Sequence, residues 1–402
     1  MAETTTELRY GFGRNWQRFV KRYLDEDRIA IAERELLSNL QLSTLKGLSF
    51  LDIGSGSGIH SLAALRAGAE RVVSFDYDTD AVQATRSLRE AAGAPAHWTV
   101  TSGSVLDTEF LATLGLADIV YSWGVLHHTG QQWRALDNVF RTVKPGGQLS
   151  IALYNRDMCF DPPWDFWLDV KQRYNRSSPL RRRRMEIAYI WYMGLKSSWR
   201  NLPSLWRQAR QYRRHRGMAY YTDVCDWLGG WPMEFSTLSE VLGASSKSGF
   251  ALERLRTGEF CSEYLFRAPV HGEPATGLAA HFRSVSTMEE LAGIGKFYLS
   301  GTGAAARQLL EAARRHGCAP LGVFDRERRG SWEGYEIQPE SELASHNDVP
   351  VVVASSYFGN IIERLTALGC RQVIDAFPII VQFMRAEGEK KGPPERRFRW
   401  LL

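Results

Sequence analysis

No apolar run in this 402-residue chain reaches the ~18 residues that a membrane-spanning helix needs, which argues against a transmembrane protein. The opening MAETTTELRY lacks the basic-then-apolar pattern of a secretory signal, so a cytoplasmic location is expected. Cysteine is scarce: Cys159, Cys225, Cys261, Cys318 and Cys370 are scattered, odd in number and never spaced as C-x-x-C. That excludes a disulfide framework and a cysteine-built zinc site, and fits reduced thiols. No repeat, low-complexity tract or Asn-Pro-Pro-Tyr motif occurs. The apolar share of 44% is that of an ordinary globular protein. At about 100–200 residues per domain, the length suggests two or three domains.

What charge there is sits unevenly. Residues 171–216 hold fourteen Lys or Arg and one acid, Glu186, a local +13 that leaves −8 elsewhere in a chain of net charge +5. Here arginines alternate with Tyr189, Trp191, Tyr192, Trp199, Trp206 and Tyr212. Such a mixture suits a nucleic acid backbone, an anionic membrane surface or one pyrophosphate of an activated sugar or lipid carrier. A lid with a solvated basic face suits it as well. We expect no specific nucleic acid partner, and leave peripheral membrane contact through 171–216 open.

The most informative stretch is FLDIGSGSGIHSLAALRAGAERVVSFDYD, Phe50 to Asp78. The apolar run Leu48 to Ile53 stops at Gly54-Ser55-Gly56-Ser57-Gly58, a helix-like run follows, and a second apolar run ends in Asp76. Strand, glycine loop, helix, strand and acid make half of a nucleotide-binding βαβ unit. The glycines permit a tight turn and close approach of backbone to a ligand, and the acid is placed to accept hydrogen bonds from ribose hydroxyls. The loop reads G-x-G-x-G, with Asp52 two residues before it, rather than G-x-G-x-x-G. A carboxylate there repels a pyrophosphate and suits a cation.

This segment resembles the first motif of class I S-adenosylmethionine-dependent methyltransferases, whose cofactor carries an ammonium and a sulfonium. Gly103 to Asp107 resembles the family's adenine-side segment, Ala117 to His128 its fourth strand and following loop, and Phe140 to Gly147 the helix and turn before strand five. The resemblance covers residues 45–155 and implies S-adenosyl-L-methionine as cofactor. It assigns the methionine moiety to Asp52 and the loop of Gly54, Ser55, Gly56 and Gly58. The ribose falls to Asp76, with Asp78 a second candidate, and the adenine to Ser104 and Val105. Tyr77 and Trp123 complete the set. Asp107 stands where the adenine contact or a surface position is equally open, because the family's acid often sits at the position of Ser104. No metal is expected.

The organisation follows. Residues 1–44 predict a helical cap in which Trp16 and Phe19 read as core. The fold expected for 45–270 is the seven-stranded Rossmann-like α/β domain of the class I methyltransferases, with strands near 48–53, 71–76, 97–101, 117–122, 147–153, 250–256 and 260–267. A helical insertion, 155–230, interrupts it with helical spacing around 164–175, 180–197 and 203–216, and a helix over 236–248 closes it. The break at 270–274 reads as a linker, so residues 1–270 are expected to fold alone. Residues 290–380 predict a small C-terminal Rossmann-like domain of three or four strands, and 381–402 a charged tail in which the stretch KKGPPERRFRW is open to disorder.

Candidate catalytic residues are His127, His128, Tyr221, Asp223 and Glu263. Histidine titrates near neutrality and is able to deprotonate a hydroxyl or amine; the alternative is a structural histidine that only shapes the pocket. Tyr220 to Glu234 is the densest polar-aromatic cluster. It resembles a segment of methyltransferases encoded with surface-polysaccharide genes, and its acids and rings suit a polyhydroxylated substrate or, alternatively, a rigid corner of the lid. A methyltransferase acting on a sugar, sugar nucleotide or polysaccharide intermediate is the expectation. A small-molecule O- or N-methyltransferase for a quinone-like or natural-product substrate, and a two-domain scaffold, are the alternatives. In the C-terminal domain, Gly301-Thr302-Gly303-Ala304-Ala305-Ala306 with Asp325 fits G-x-G-x-x-A and its acid. A bound nucleotide and a docking partner are both open there.

Overall fold

The computed structural model describes residues 9–207, 220–270 and 277–402. Two helices, α1 (Gly13–Tyr23) and α2 (Glu26–Leu40), precede the first strand. The N-cap Asp25 starts α2 by accepting the amide of Arg28, and Leu36 and Leu40 bury its inner face. An α/β alternation follows: β1 (Ser49–Ile53), α3 (Ile59–Arg66), β2 (Arg71–Asp76), α4 (Thr79–Ala91), β3 (Trp98–Ser102), α5 (Thr108–Leu114), β4 (Ala117–Trp123), α6 (Gln132–Phe140) and β5 (Val143–Tyr154). β1 is buried along its whole length, Ser49 and Asp52 included, as a central strand of a parallel sheet covered on both faces is.

The insertion supplies α7 (Trp164–Arg176), α8 (Pro179–Tyr189) and α9 (Tyr220–Gly229). The helix expected over 180–197 leaves α geometry after Tyr189, where one π turn spans Ile190–Gly194. Much of the helix expected over 203–216 lies outside the described residues. α10 (Leu238–Lys247), opened by a Thr237–Glu240 capping box, leads to the hairpin β6 (Ala251–Arg256) and β7 (Cys261–Arg267). The first sheet has the order β3-β2-β1-β4-β5-β7-β6, with β1 to β4 parallel and β6 antiparallel to β7. This is the seven-stranded mixed sheet expected from the sequence, and β1 to β5 match the expected strands to within a few residues.

By internal contacts the chain forms two compact units. The first holds residues 1–151, 164–234 and 392–402, the second residues 152–163 and 235–391. The boundary therefore differs from the division expected at 270–274, since β6 and β7 count with the second unit. Residues 271–276 lie outside the described residues.

The second unit carries β8 (Phe282–Ser284), α11 (Met288–Ala292), β9 (Tyr298–Ser300), α12 (Ala304–Arg315), β10 (Val323–Asp325), β11 (Gly330–Trp332), β12 (Tyr335–Pro339), β13 (Val351–Val353), α13 (Phe358–Ala367), β14 (Val373–Asp375) and α14 (Phe377–Lys390). Its sheet runs β11-β12-β10-β9-β13-β14-β8: seven strands rather than three or four. The added strands are short, and β11–β12 is a hairpin turning on Glu333 and Gly334, both with positive φ, as a tight hairpin turn demands. α13 lies tightly on β6. A Cβ at Gly359 would stand 2.6 Å from the Leu255 carbonyl, the Gly359 amide donates to Thr257, and Glu363 accepts the Leu255 amide.

The C-terminal tail is ordered. α15 (Pro394–Arg397) ends it with Leu401 fully buried and the Phe398 ring 5.8 Å from Phe166 and 5.2 Å from Tyr192, while Arg181 donates to the Leu402 carbonyl. Its charge, which suggested disorder, hides the apolar Phe398 and Leu401. Among the described residues no helix is long and apolar enough to cross a membrane.

Candidate active site

The glycine loop turns at the carboxyl end of β1, where the parallel strands of a doubly wound sheet present ligands. Gly54 and Ser55 donate their amides to the Phe75 carbonyl, which clamps the loop to β2. The Asp76 carboxylate accepts the Gly56 amide at 2.9 Å and the Asp78 amide at 2.9 Å. Loop and acid are thus one hydrogen-bonded unit. At Gly56, φ is +55° and a Cβ would lie 3.1 Å from the Trp16 indole nitrogen, so α1 covers the loop with an aromatic side chain. The sequence pattern placed Trp16 in the core and missed this contact.

Asp52 lies behind the loop. It is buried and accepts a 2.5 Å hydrogen bond from Ser61, which shares a further bond with Ser74, itself the acceptor of the Trp98 indole N–H. Ser55 is buried too, its hydroxyl bonded to Thr85. These two side chains hold the loop's shape. Burial drives the Asp52 carboxyl up to about 7, with the nearby Asp76 charge adding to the rise, and drives Asp76 up to about 6.

The remaining residues assigned from the sequence divide. Tyr77 and Trp123 are exposed at the carboxyl ends of β2 and β4, and the Arg9 guanidinium lies 4.8 Å over the Tyr77 ring. The Ser104 hydroxyl accepts the Leu106 amide, and the Val105 side chain is buried. Asp78 caps α4 and accepts the Gly13 amide, while Asp107 caps α5 through Phe110. Both acids are occupied as helix caps.

His127 is fully buried and His128 half-buried, their rings 4.4 Å apart. The segment after α9 straps their loop. His128 Nδ1 meets the Pro232 carbonyl at 2.8 Å, the Glu234 amide donates to the His127 carbonyl, and Glu234 accepts the Gln132 amide. Because a carbonyl only accepts, Nδ1 carries the proton and Nε2 keeps a lone pair. Burial pushes both rings well below the usual imidazole range, His128 to about 3. Both histidines are neutral at pH 7.

Tyr221 points its hydroxyl at Glu186, which also accepts from Tyr174 at 2.8 Å and pairs with Arg183. Asp223 sits in the first turn of α9, where its charge raises Asp226. Glu263 stands on β7 in the second unit, 3.9 Å from Arg256. A further, desolvated acid on α9 is Asp226, which lies within the Tyr220–Glu234 cluster and has no role assigned from the sequence. It accepts from Asn15 at 2.7 Å, and Tyr10, whose hydroxyl also accepts from Asn15, bonds it as well. Burial lifts Asp226 to about 7, and the charge of the buried Lys171 opposes the rise. A Cβ on Gly230 would come within 2.8 Å of His128 and 3.3 Å of Phe12, which places α9, α1 and the histidine loop in one cluster.

Residues 50–147 match the family model described as a methyltransferase domain. The ribosomal protein L11 methyltransferase of Photobacterium profundum is 34% identical over 108 residues, 27% of this chain and 34% of that one. The tRNA U34 carboxymethyltransferase of Cellvibrio japonicus is 32% identical over 108 residues, 27% and 33% of the two chains. The match thus spans about a third of the length of these curated relatives. Among solved structures, magnesium protoporphyrin IX methyltransferase from Synechocystis PCC 6803 with bound SAH gives a TM-score of 0.38 at 13% identity, over 63% of this chain and 93% of that one. An S-adenosylmethionine-dependent methyltransferase from Mesorhizobium loti gives 0.35 at 16%, over 59% and 97%. Residues 50–147 are thus matched as a methyltransferase domain, and S-adenosylmethionine is the cofactor that the sequence resemblance implies.

The residues present fit that cofactor. Asp52 and Asp76 are two close, desolvated carboxylates whose hydrogen-bond partners are hydroxyls and amides, a donor set that favours a cationic ligand. A bound cation favours their ionised forms. Affinity for S-adenosylmethionine should therefore rise as pH climbs from about 5 to 8, through the raised pKa values of Asp76 and then Asp52, and level off above. S-adenosylhomocysteine, which lacks the sulfonium, should show a shallower rise. Calorimetry across this range checks it, and equal, flat profiles would refute the charge argument.

Proposed function

We propose that this protein transfers a methyl group from S-adenosylmethionine to a sugar, sugar nucleotide or polysaccharide intermediate. The observation that carries the reading is the Asp226 cluster. A desolvated acid held by Asn15 and Tyr10, with the rings of Tyr10, Phe12 and His128 following one another at 4.9 Å, offers hydrogen bonds and ring faces to a polyhydroxylated acceptor. Asn15 and Trp16 are neighbours on α1, so the helix that covers the methyl-donor loop also holds the acid.

Bound at the loop, the cofactor supplies an electrophilic methyl on a sulfonium. The chain's own contribution is positioning, with donor and nucleophile held about 3 Å apart in a dry site. Asp226 near 7 is matched to removing a hydroxyl proton at neutral pH, and its position makes it the favoured base over Tyr221, which Glu186 and Arg183 engage. His128 is held neutral with Nδ1 turned to the Pro232 carbonyl. The matched relatives share only the donor domain, so their ribosomal-protein and tRNA substrates say little about this acceptor. Trp199, Leu202 and Trp206 are exposed beside Arg200 and Arg207, which favours an acceptor carried at an anionic surface.

The test incubates the protein with methyl-labelled cofactor and a panel of nucleotide sugars, glycan fractions, phenolic and quinone acceptors, and RNA. Label should enter the sugar fraction. Asp226→Asn should lower turnover by about 10²-fold or more, in line with general-base catalysis, and leave S-adenosylhomocysteine affinity within about twofold. Label in RNA, protein or phenols, with sugars silent, would refute the acceptor assignment.

A further inference from the structure

The second unit holds a cavity of about 160 Å³ at the carboxyl ends of β9, β10 and β13. In its sheet, β10 and β12 lie on one side of β9 and β13 and β14 on the other, so the cavity sits where the strand order reverses. That is the crevice in which doubly wound sheets bind ligands. One wall is the turn Ser300 to Gly303, which opens α12. Gly303 is the N-cap, no side chain caps this end, and the space where a Cβ would stand on Gly301 or Gly303 is open. The first amides of α12 have no partner within the helix and carry its positive end.

The charged side chains around the opening are two arginines and two acids. Arg326 lines the cavity, and so does Arg364, which forks onto Glu340 at 2.5 and 2.9 Å and neutralises that buried acid. Asp325 ends β10, twenty-four residues after Gly301, where the ribose-binding acid of a nucleotide site stands. Thr302 and the amides of Glu327 and Arg328 hold its carboxylate and keep it ionised.

We propose that this cavity binds a nucleoside diphosphate, the diphosphate on the N-terminus of α12 and the ribose on Asp325. Its volume is below the roughly 300–1,000 Å³ of pockets that enclose a whole small ligand, so the base lies at the mouth. The turn after β13, Ala354-Ser355-Ser356-Tyr357, has no glycine, so the pattern provides for one nucleotide rather than a dinucleotide. The inference does not depend on methyl transfer.

Calorimetry on the full chain tests it, with UDP, CDP, GDP, ADP and inorganic pyrophosphate titrated while S-adenosylhomocysteine saturates the first unit. At least one nucleoside diphosphate should bind at least tenfold more tightly than pyrophosphate. Gly303→Asp puts a good N-cap residue on α12, so the helix should fold, yet its carboxylate meets the phosphates. Affinity should drop at least tenfold. Asp325→Asn should weaken the nucleoside diphosphate severalfold and leave pyrophosphate unchanged. Arg326→Ala should weaken both, and serves in place of Gly303→Asp if melting shows that variant misfolded. Silence of all four nucleotides at millimolar concentration, pyrophosphate binding as tightly as the best of them, or unchanged affinity in folded Gly303→Asp would each overturn the proposal.

Discussion

Gly56→Arg should abolish S-adenosylhomocysteine binding. The loop has no room for the change: a Cβ at Gly56 already meets the Trp16 indole at 3.1 Å, and φ there is +55°. An arginine also adds a positive charge where two acids await a cation. Asp76→Ala should be nearly as severe, because it removes the acceptor for the Gly56 and Asp78 amides as well as for the ribose. Hydrogen bonds to a charged group are worth about 1.5–3 kcal/mol each, so losing the ribose contacts should cost roughly 10²-fold or more in affinity. Calorimetry on variants shown folded by thermal melting reads both. Wild-type affinity in either folded variant would remove the loop and its acid from the cofactor site.

The fragment 1–270 should fail to fold, whereas the sequence led us to expect an independent half. Cutting there strips α13 from the β6–β7 hairpin and leaves Leu255, fully buried in the whole chain, facing water. It also removes residues 392–402 from the first unit, including Leu401 and the Phe398 ring packed on Phe166 and Tyr192. Each such apolar side chain contributes about 1.5–3 kcal/mol when buried, against a total stability of about 5–15 kcal/mol for a typical domain. Soluble yield, near-ultraviolet dichroism and calorimetric melting should show an aggregating or molten fragment. A cooperative transition near that of the whole chain, with cofactor affinity kept, would show that neither the tail nor α13 is needed.

Local chemistry was what the sequence could report. The run from Phe50 to Asp76 gives its strand, loop, helix and acid in order, because periodicity and glycine placement are written within thirty residues. Contacts made across the fold left no local trace. The sequence shows neither the Ser61 and Ser74 hydroxyls that hold Asp52 behind the loop nor the caps that Asp78 and Asp107 give to α4 and α5. Tyr221 is taken by Glu186 from the neighbouring α8, while Asp226 meets Asn15 from more than two hundred residues away. The strands β8, β11 and β12 carry no apolar run of the kind that marks β13, although Glu333-Gly334 was a legible turn signal.

A crystal structure with S-adenosylhomocysteine bound tests the central claim most directly. The account predicts both ribose hydroxyls within hydrogen-bond distance of the Asp76 carboxylate, the homocysteine end over Gly54 to Gly58 beneath Trp16, and the sulfur facing the Asp226–His128 cluster. Ligand density away from Asp76, or a sulfur turned from that cluster, would contradict it.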